Sequence, residues 1–311
     1  MRKGLFYQLS SIAFIIIVIG SYVIVAQSPI SGTWTADARD DKDADKIELQ
    51  LSRRSMGDRR NQIGRSYEYS ELEGLTASQT RGGKVSFRIV REAGTIDLEG
   101  SFTDGRGSGT FTFTPSRSYV DAMKSRGFDF SRSKFRRSRD DASTERDDLE
   151  DRLFVAAALN VTTKLADDLL SANFGPLDVD DLFKAAIFKI TPEFMSEMKA
   201  SGFPDLSMED LVKARIFKID AAWVRDVHAM GFAGSDFEQL VRFRIFKVTP
   251  EFLHSLKSEG YADLSAEQVV RFRIFNVDAD FIRQAKASDP SVTPEQLVEM
   301  RMGIRRMARG R

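Results

Sequence analysis

TPEFMSEMKASGFPDLSMEDLVKARIFKI, residues 191–219, is a phrase that the C-terminal half of this chain repeats. Its first position returns as Thr162, Thr191, Asp220, Thr249 and Asp278, each 29 residues after the one before. ITPEFMSEMKASGF is echoed by IDAAWVRDVHAMGF, VTPEFLHSLKSEGY and VDADFIRQAKASDP, and DLFKAAIFK by DLVKARIFK, QLVRFRIFK and QVVRFRIFN. Self-similarity at a period of this size marks stacked supersecondary units, each too small to bury its own apolar face.

Inside one unit the local chemistry spells two short helices. Thr191 is an N-cap, Pro192 sits at the first helical position, and Glu193 suits the positive end of the helix dipole. Ile190 and Met195 form a hydrophobic staple, repeated as Ile219 with Val224, Val248 with Leu253 and Val277 with Ile282. Gly202, Gly231 and Gly260 stand where the first helix must end in left-handed backbone. Ser207 with Asp210, and Ser265 with Gln268, read as capping boxes that open the second helix. That helix closes on an Ile-Phe pair: Ile187-Phe188, Ile216-Phe217, Ile245-Phe246 and Ile274-Phe275. Helices of about ten residues are marginal alone. The Phe194, Trp223, Phe252, Phe281 column and the Ile-Phe pairs are therefore expected to form one shared spine. The last unit, Val292 to Met307, lacks the pair and reads as a terminal cap.

Upstream, residues 31–115 carry a different period. Thr33–Ala36, Lys46–Leu51, Val85–Val90, Thr95–Glu99 and Thr110–Thr114 alternate apolar with polar residues, the pattern of strands with one wet face. Arg91-Glu92-Ala93-Gly94 reads as a tight hairpin and Asp104–Gly109 as a glycine-rich connection, while the charged stretches 37–45 and 52–66 are expected to be loops. Ser116, Tyr119, Met123, Gly127 and Phe128 reproduce the later spacing, giving a degenerate first unit at 116–128. A charged insertion, 129–148, follows, and its apolar-poor composition predicts a mobile surface excursion. The expected fold is therefore α+β. An N-terminal antiparallel β-meander or barrel-like domain at 31–115 precedes an all-α array of helix-pair repeats at 149–307.

Residues 1–27 are a targeting segment. Arg2 and Lys3 precede an apolar run from Ile12 to Ala26, so the segment is either a cleaved signal peptide or a retained N-terminal anchor using residues 9–26. Both readings place the remainder on the extracytoplasmic side, periplasmic or at the outer face of the cell membrane.

Composition narrows the chemistry. Lys+Arg and Asp+Glu are equal at 46 each, so no net field draws the chain to nucleic acid. There is no cysteine, which excludes disulfides, thiolate metal sites and a cysteine nucleophile. HExxH, GxSxG and Walker motifs are absent, and the two histidines, His228 and His254, fall on polar helix faces. The basic run Arg132, Lys134, Arg136, Arg137, Arg139 is followed by acids and reads as a solvated loop. No catalytic, cofactor-binding or metal-binding residue is assigned. The most unusual feature is a column of arginines, Arg215, Arg244 and Arg273, continued by Arg301 and replaced by Ala186 in the first full unit. It is either a ladder pairing carboxylates or helix C-terminal carbonyls between units, or a cationic groove for an anion or acidic peptide.

TPEFMSEMKASGFPDLSMEDLVKARIFKI and REAGTIDLEGSFTDGRGSGTFTFTP, residues 91–115, resemble the C-terminal extracytoplasmic region found in some bacterial membrane proteins of the BlaR1-like M56 metallopeptidase family. Similar stretches occur as free-standing exported proteins. The resemblance spans roughly residues 31–305. The family's peptidase carries its zinc motif in a multi-spanning membrane domain, and this chain has neither the motif nor the spans. The resemblance thus implies a sensory or interaction module without the enzyme. The expected function is non-enzymatic binding or scaffolding of a protein or peptide in the cell envelope, or sensing beside a membrane-embedded partner, with no cofactor.

Overall fold

The computed structural model describes residues 30–38, 45–54, 60–131 and 142–303; the targeting segment and the basic run 132–139 lie outside them. Six strands form one antiparallel sheet: β1 (Ile30–Asp37), β2 (Lys46–Arg54), β3 (Arg60–Glu68), β4 (Gly82–Arg91), β5 (Gly94–Thr103) and β6 (Arg106–Pro115). Their spatial order is β3-β2-β1-β6-β5-β4. Two three-stranded meanders are thus zipped together by their first and last strands, with Ile30 opposite Phe113 and Asp37 opposite Arg106. The five alternating segments read from the sequence lie inside β1, β2, β4, β5 and β6. β3 was expected to be loop. It is an edge strand whose inward positions are Ile63, Arg65 and Tyr67, so its sequence never shows the apolar alternation of a central strand.

The glycine-rich stretch is also mostly strand. Only Asp104 and Gly105, both at positive φ (49° and 78°), make the turn. Gly100 and Gly109 face each other across β5 and β6 beneath Trp34, and a Cβ at either would come within 2.6 Å or 2.7 Å of the indole. The Trp34 indole N–H donates to the Glu99 carbonyl at 3.1 Å, which fixes the ring in that seat. From β3 the chain crosses to the far edge of the sheet, where Glu73 exchanges two 2.9 Å backbone bonds with Arg88 of β4. Leu72 and Leu75 of this crossing are buried.

Twelve helices follow among the described residues. α1 (Arg117–Ser125) begins at Ser116, whose hydroxyl accepts from the Tyr119 amide, and α2 (Ala142–Leu159) runs 18 residues. Part of the stretch read as an insertion is therefore ordered structure. Phe130 is buried edge-on against Tyr119 and Phe183, and residues from Ala142 belong to α2. α2 lies against the inward face of the sheet. Phe154 stacks on Phe111 with centroids 5.1 Å apart and meets Phe113 edge-on, while Arg53, nearly buried, pairs with Asp151. At the end of α2, the Ala158 carbonyl accepts from Tyr67 Oη (3.0 Å) and Arg65 Nη1 (3.3 Å), and the Val161 carbonyl accepts from Tyr119 Oη (3.0 Å).

The remaining helices come in pairs: α3 (Thr163–Ser171) and α4 (Val179–Phe188), α5 (Pro192–Ala200) and α6 (Met208–Phe217), α7 (Ala221–Ala229) and α8 (Phe237–Ile245), α9 (Pro250–Ser258) and α10 (Ala266–Ile274), α11 (Ala279–Ser288) and α12 (Pro294–Arg301). Even-numbered helices touch in succession from α2 to α12, so the second helices of the pairs form a continuous row. One apolar cluster runs from Ile30 in the sheet to Val270 in α10, and a second encloses Leu256 to Val298.

Burial holds the proton on Tyr67, raising its pKa from 10.0 to about 12. The stability tied to this group is intact below pH 10 and is lost as pH rises toward 12, because only the unfolded phenol ionises easily. Tyr67→Phe is expected to cost about 1 kcal/mol at neutral pH by removing the bond to Ala158, measured by urea unfolding. It should also reduce the alkaline fall in stability without abolishing it, since burial raises the pKa of Tyr119 in the same direction.

Candidate binding surface

The second helix of each pair ends in a repeated construction. In α6, the Ile219 amide reaches back to the Ala214 carbonyl (2.8 Å) around Lys218, which adopts left-handed backbone at φ 54°. Ile190 to Ala185, Val248 to Phe243 and Val277 to Phe272 repeat the bond around Lys189, Lys247 and Asn276. The first helices use the same closure around Gly202, Gly231 and Gly260, the glycines marked in the sequence.

The arginine column fills the space beside these ends. Arg215 lies 3.8 Å over the Phe194 ring and donates to the Lys189 carbonyl at 2.7 Å. Arg244 lies 3.8 Å over Trp223 and donates to the Lys218 carbonyl at 2.9 Å. Arg273 covers Phe252 at 4.6 Å and donates to the Phe246 carbonyl at 2.8 Å, and Arg301 lies 3.9 Å over Phe281. Each of the first three guanidiniums therefore rests on an aromatic ring of its own pair and caps the preceding pair's second helix. The carbonyl contacts are the ladder alternative in atomic form. Arg215 is exposed, whereas Arg244 and Arg273 are half-buried.

The Ile-Phe pairs do not form the spine expected of them. The phenylalanines are partly buried, but Ile187, Ile216, Ile245 and Ile274 are 54%, 54%, 47% and 42% exposed. Helical geometry gives the reason. The core positions of α6 are Met208, Leu211 and Ala214, and Ile216 comes two residues after Ala214, about 200° around the helix. Ile187, Ile245 and Ile274 likewise stand two residues after buried Ala185, Phe243 and Phe272. The outcome is an apolar row along the second helices, one isoleucine per helix.

This row has two different borders. Three residues before Ile187 and Ile216 stand ion-paired lysines: Lys184 bridges Asp181 (3.0 Å) and Glu209 (2.5 Å), and Lys213 bridges Asp210 (3.3 Å) and Glu238; Arg242 and Arg271 hold the same position before Ile245 and Ile274. Two residues after it stand exposed Lys189, Lys218 and Lys247, with Asn276 at the fourth position. On the first border the lysines are paired with acids, and on the second they stand exposed.

Other groups singled out by type are separate from this surface or committed to structure. His228 and His254 are exposed on α7 and α9, and His254 lines a cleft of about 190 Å³ with Lys257 and Tyr261. Asp167 makes a two-pronged pair with Arg126 (2.7 and 3.0 Å), which holds its carboxyl below the usual range. Asp168 pairs with Lys164, Asp180 with Arg152, and Asp181 closes the capping box of α4. A groove of about 580 Å³ on the sheet is lined by Thr35, Glu48, Leu49, Gln50 and Arg106 among others. Among the described residues no group of three or more acidic or histidine side chains could hold a metal ion, and no helix is long and apolar enough to cross a membrane.

Comparison with family models, with curated proteins and with solved structures gives no match.

Arg244→Gln should lower stability by about 1–2 kcal/mol in urea unfolding, combining a lost ring contact with an uncapped carbonyl. Arg244→Lys should recover less than half of the loss, because an ammonium cannot lie flat on Trp223 while reaching the same oxygen.

Proposed function

We propose that this chain is a non-enzymatic module of the bacterial cell envelope whose helix pairs form a short solenoid of 29-residue repeats that binds or scaffolds a protein or peptide. The observation that carries this reading is the row of half-exposed isoleucines, since a monomeric surface seldom lines up large apolar side chains without a partner for them. The cationic border supports an anionic component in that partner. The arginine column contributes by holding the row in shape, and its outermost member, Arg215, is exposed beside it.

The apolar run of residues 12–26 supports export, with the segment either removed or kept as an anchor. The resemblance to the extracytoplasmic region of BlaR1-like M56 proteins extends the proposal to a module that senses or regulates beside a membrane-embedded partner.

The test is capture from an envelope extract with the full chain and with Ile216→Ser/Ile245→Ser, followed by measurement of the affinity of whatever is retained. A saturable protein or peptide partner is expected. A chain that retains nothing above background, or that turns over a substrate on incubation with the same extract, would sink the reading.

A further inference from the structure

Helix α2 shows how the exposed row is meant to be covered. Its Asp151, Phe154 and Ala158 occupy, 29 residues earlier, the positions of Asp180, Phe183 and Ile187 in α4, and of Glu209, Val212 and Ile216 in α6. On α2 this face is sealed by the chain's own sheet, through Arg53 on Asp151, Phe111 and Phe113 on Phe154, and Tyr67 on the Ala158 carbonyl. Ala158 is fully buried there, whereas Ile187, one helix further, is 54% exposed. On α4 and α6 the earlier positions of this face are met from within the chain, Arg152 on Asp180, Phe130 on Phe183 and Lys184 on Glu209, so only the isoleucine row is left open. It begins at the wall formed by edge strand β3.

The charges tell what can continue it. The sheet lends α2 a cation, Arg65, at its C-terminal end. The later helices already have theirs, with Arg215 and Arg244 on the terminal carbonyls and Lys189, Lys218 and Lys247 exposed outside them. Asp220 and Asp278, which follow Lys218 and Asn276 by two residues, are N-caps engaged with the Trp223 and Phe281 amides. The complement to this strip is apolar and acidic.

Spacing adds the conformation. Packed helices lie about 8–10 Å apart, and α4, α6, α8 and α10 touch in succession, so a step of about that size is expected between the isoleucines. A polyproline II chain advances about 9.3 Å per turn of three residues, which returns every third side chain to the same line. A β-strand repeats its face about every 6.7 Å and an α-helix its turn every 5.4 Å or so, and neither keeps step. We propose that the row Ile187, Ile216, Ile245, Ile274 with Lys189, Lys218 and Lys247 docks an extended acidic peptide segment carrying an apolar residue at every third position. This deepens the reading given above and rests on it.

The probe is a fluorescein-labelled (Glu-Pro-Leu)5 peptide titrated against the full chain by fluorescence anisotropy. Saturable binding is expected, weakened at least tenfold by Ile216→Ser/Ile245→Ser and by Lys218→Glu/Lys247→Glu. The isoleucine pair should keep the parent melting temperature within about 2 °C, since surface changes of this kind rarely move stability far, whereas the lysine pair should lower it by a few degrees because glutamate opposes the field of a helix C-terminus. (Lys-Pro-Leu)5, and an acidic peptide with leucine at every second position, should bind at least tenfold more weakly. The proposal is overturned if the isoleucine pair binds the acidic peptide as well as the parent does, or if either control peptide binds equally. It is overturned as well if vesicles of phosphatidylglycerol and phosphatidylcholine compete through the same isoleucines, or if the parent is a dimer that the isoleucine pair dissolves. Should the partner captured from envelope extract persist on the isoleucine variants, this docking surface is wrong while the broader binding reading survives.

Discussion

Helices of eight to ten residues leave four amides at one end and four carbonyls at the other without intrahelical partners, so from α3 onward the ends matter more than the middles. At the N-termini the solution is uniform. Thr162, Asp178, Thr191, Ser207, Asp220, Asp236, Thr249, Ser265, Asp278 and Thr293 each accept a hydrogen bond from an amide three residues on. At the C-termini of the second helices the closing turn is not self-sufficient, and the arginine of the following pair completes it. The guanidinium can do this because the aromatic ring beneath it removes one face from water and fixes its plane. Each pair therefore needs its neighbour twice, once for apolar burial and once for hydrogen bonding.

The sheet enters the same arrangement as a substitute neighbour. The first full pair has Ala186 where the others have arginine, so nothing in α4 can cap the end of α2 in the later manner. Tyr67 and Arg65 of β3 supply the missing donors, and Tyr119 reaches the Val161 carbonyl from the other side. The loss of one arginine and the polar character of β3 are two views of one junction. The sheet thus closes the row of touching helices at its α2 end. This also explains why the apolar cluster passes from sheet to helices without a break.

Local signals were the most legible part of the sequence. The caps at Thr191, Ser207 and Ser265, the glycines at 202, 231 and 260, and the five alternating strands all depend on neighbours within a few residues. What failed depended on partners remote in sequence. β3 reads as loop because, after Ile63, its inward residues are an arginine and a tyrosine that answer a carbonyl 93 and 91 residues away. Gly107 and Gly109 read as a turn because their tight fit against Phe102 and Trp34 is a matter of cross-strand packing. The Ile-Phe pairs mislead differently. Adjacent helical residues lie about 100° apart, so one of the two can pack inward only if the other turns away. The sequence could have betrayed this, since Met208, Leu211 and Ala214 already complete the inward set of α6. The αL lysines gave no warning, because lysine has no special preference for that backbone.

That last feature separates the two kinds of helix end. Helices α5, α7 and α9 close on glycine, which adopts positive φ without penalty, while α4, α6 and α8 close on Lys189, Lys218 and Lys247 at φ 53–54°. A non-glycine residue in this region costs about 1 kcal/mol or more, and the favourable field of a helix C-terminus returns about 0.3–1 kcal/mol of it. Glycine would serve the backbone better at all three positions. The lysines stand only on the helix ends that border the isoleucine row, and they leave their ammonium groups exposed beside it. Backbone strain at three positions thus accompanies three exposed ammonium groups along one open apolar edge.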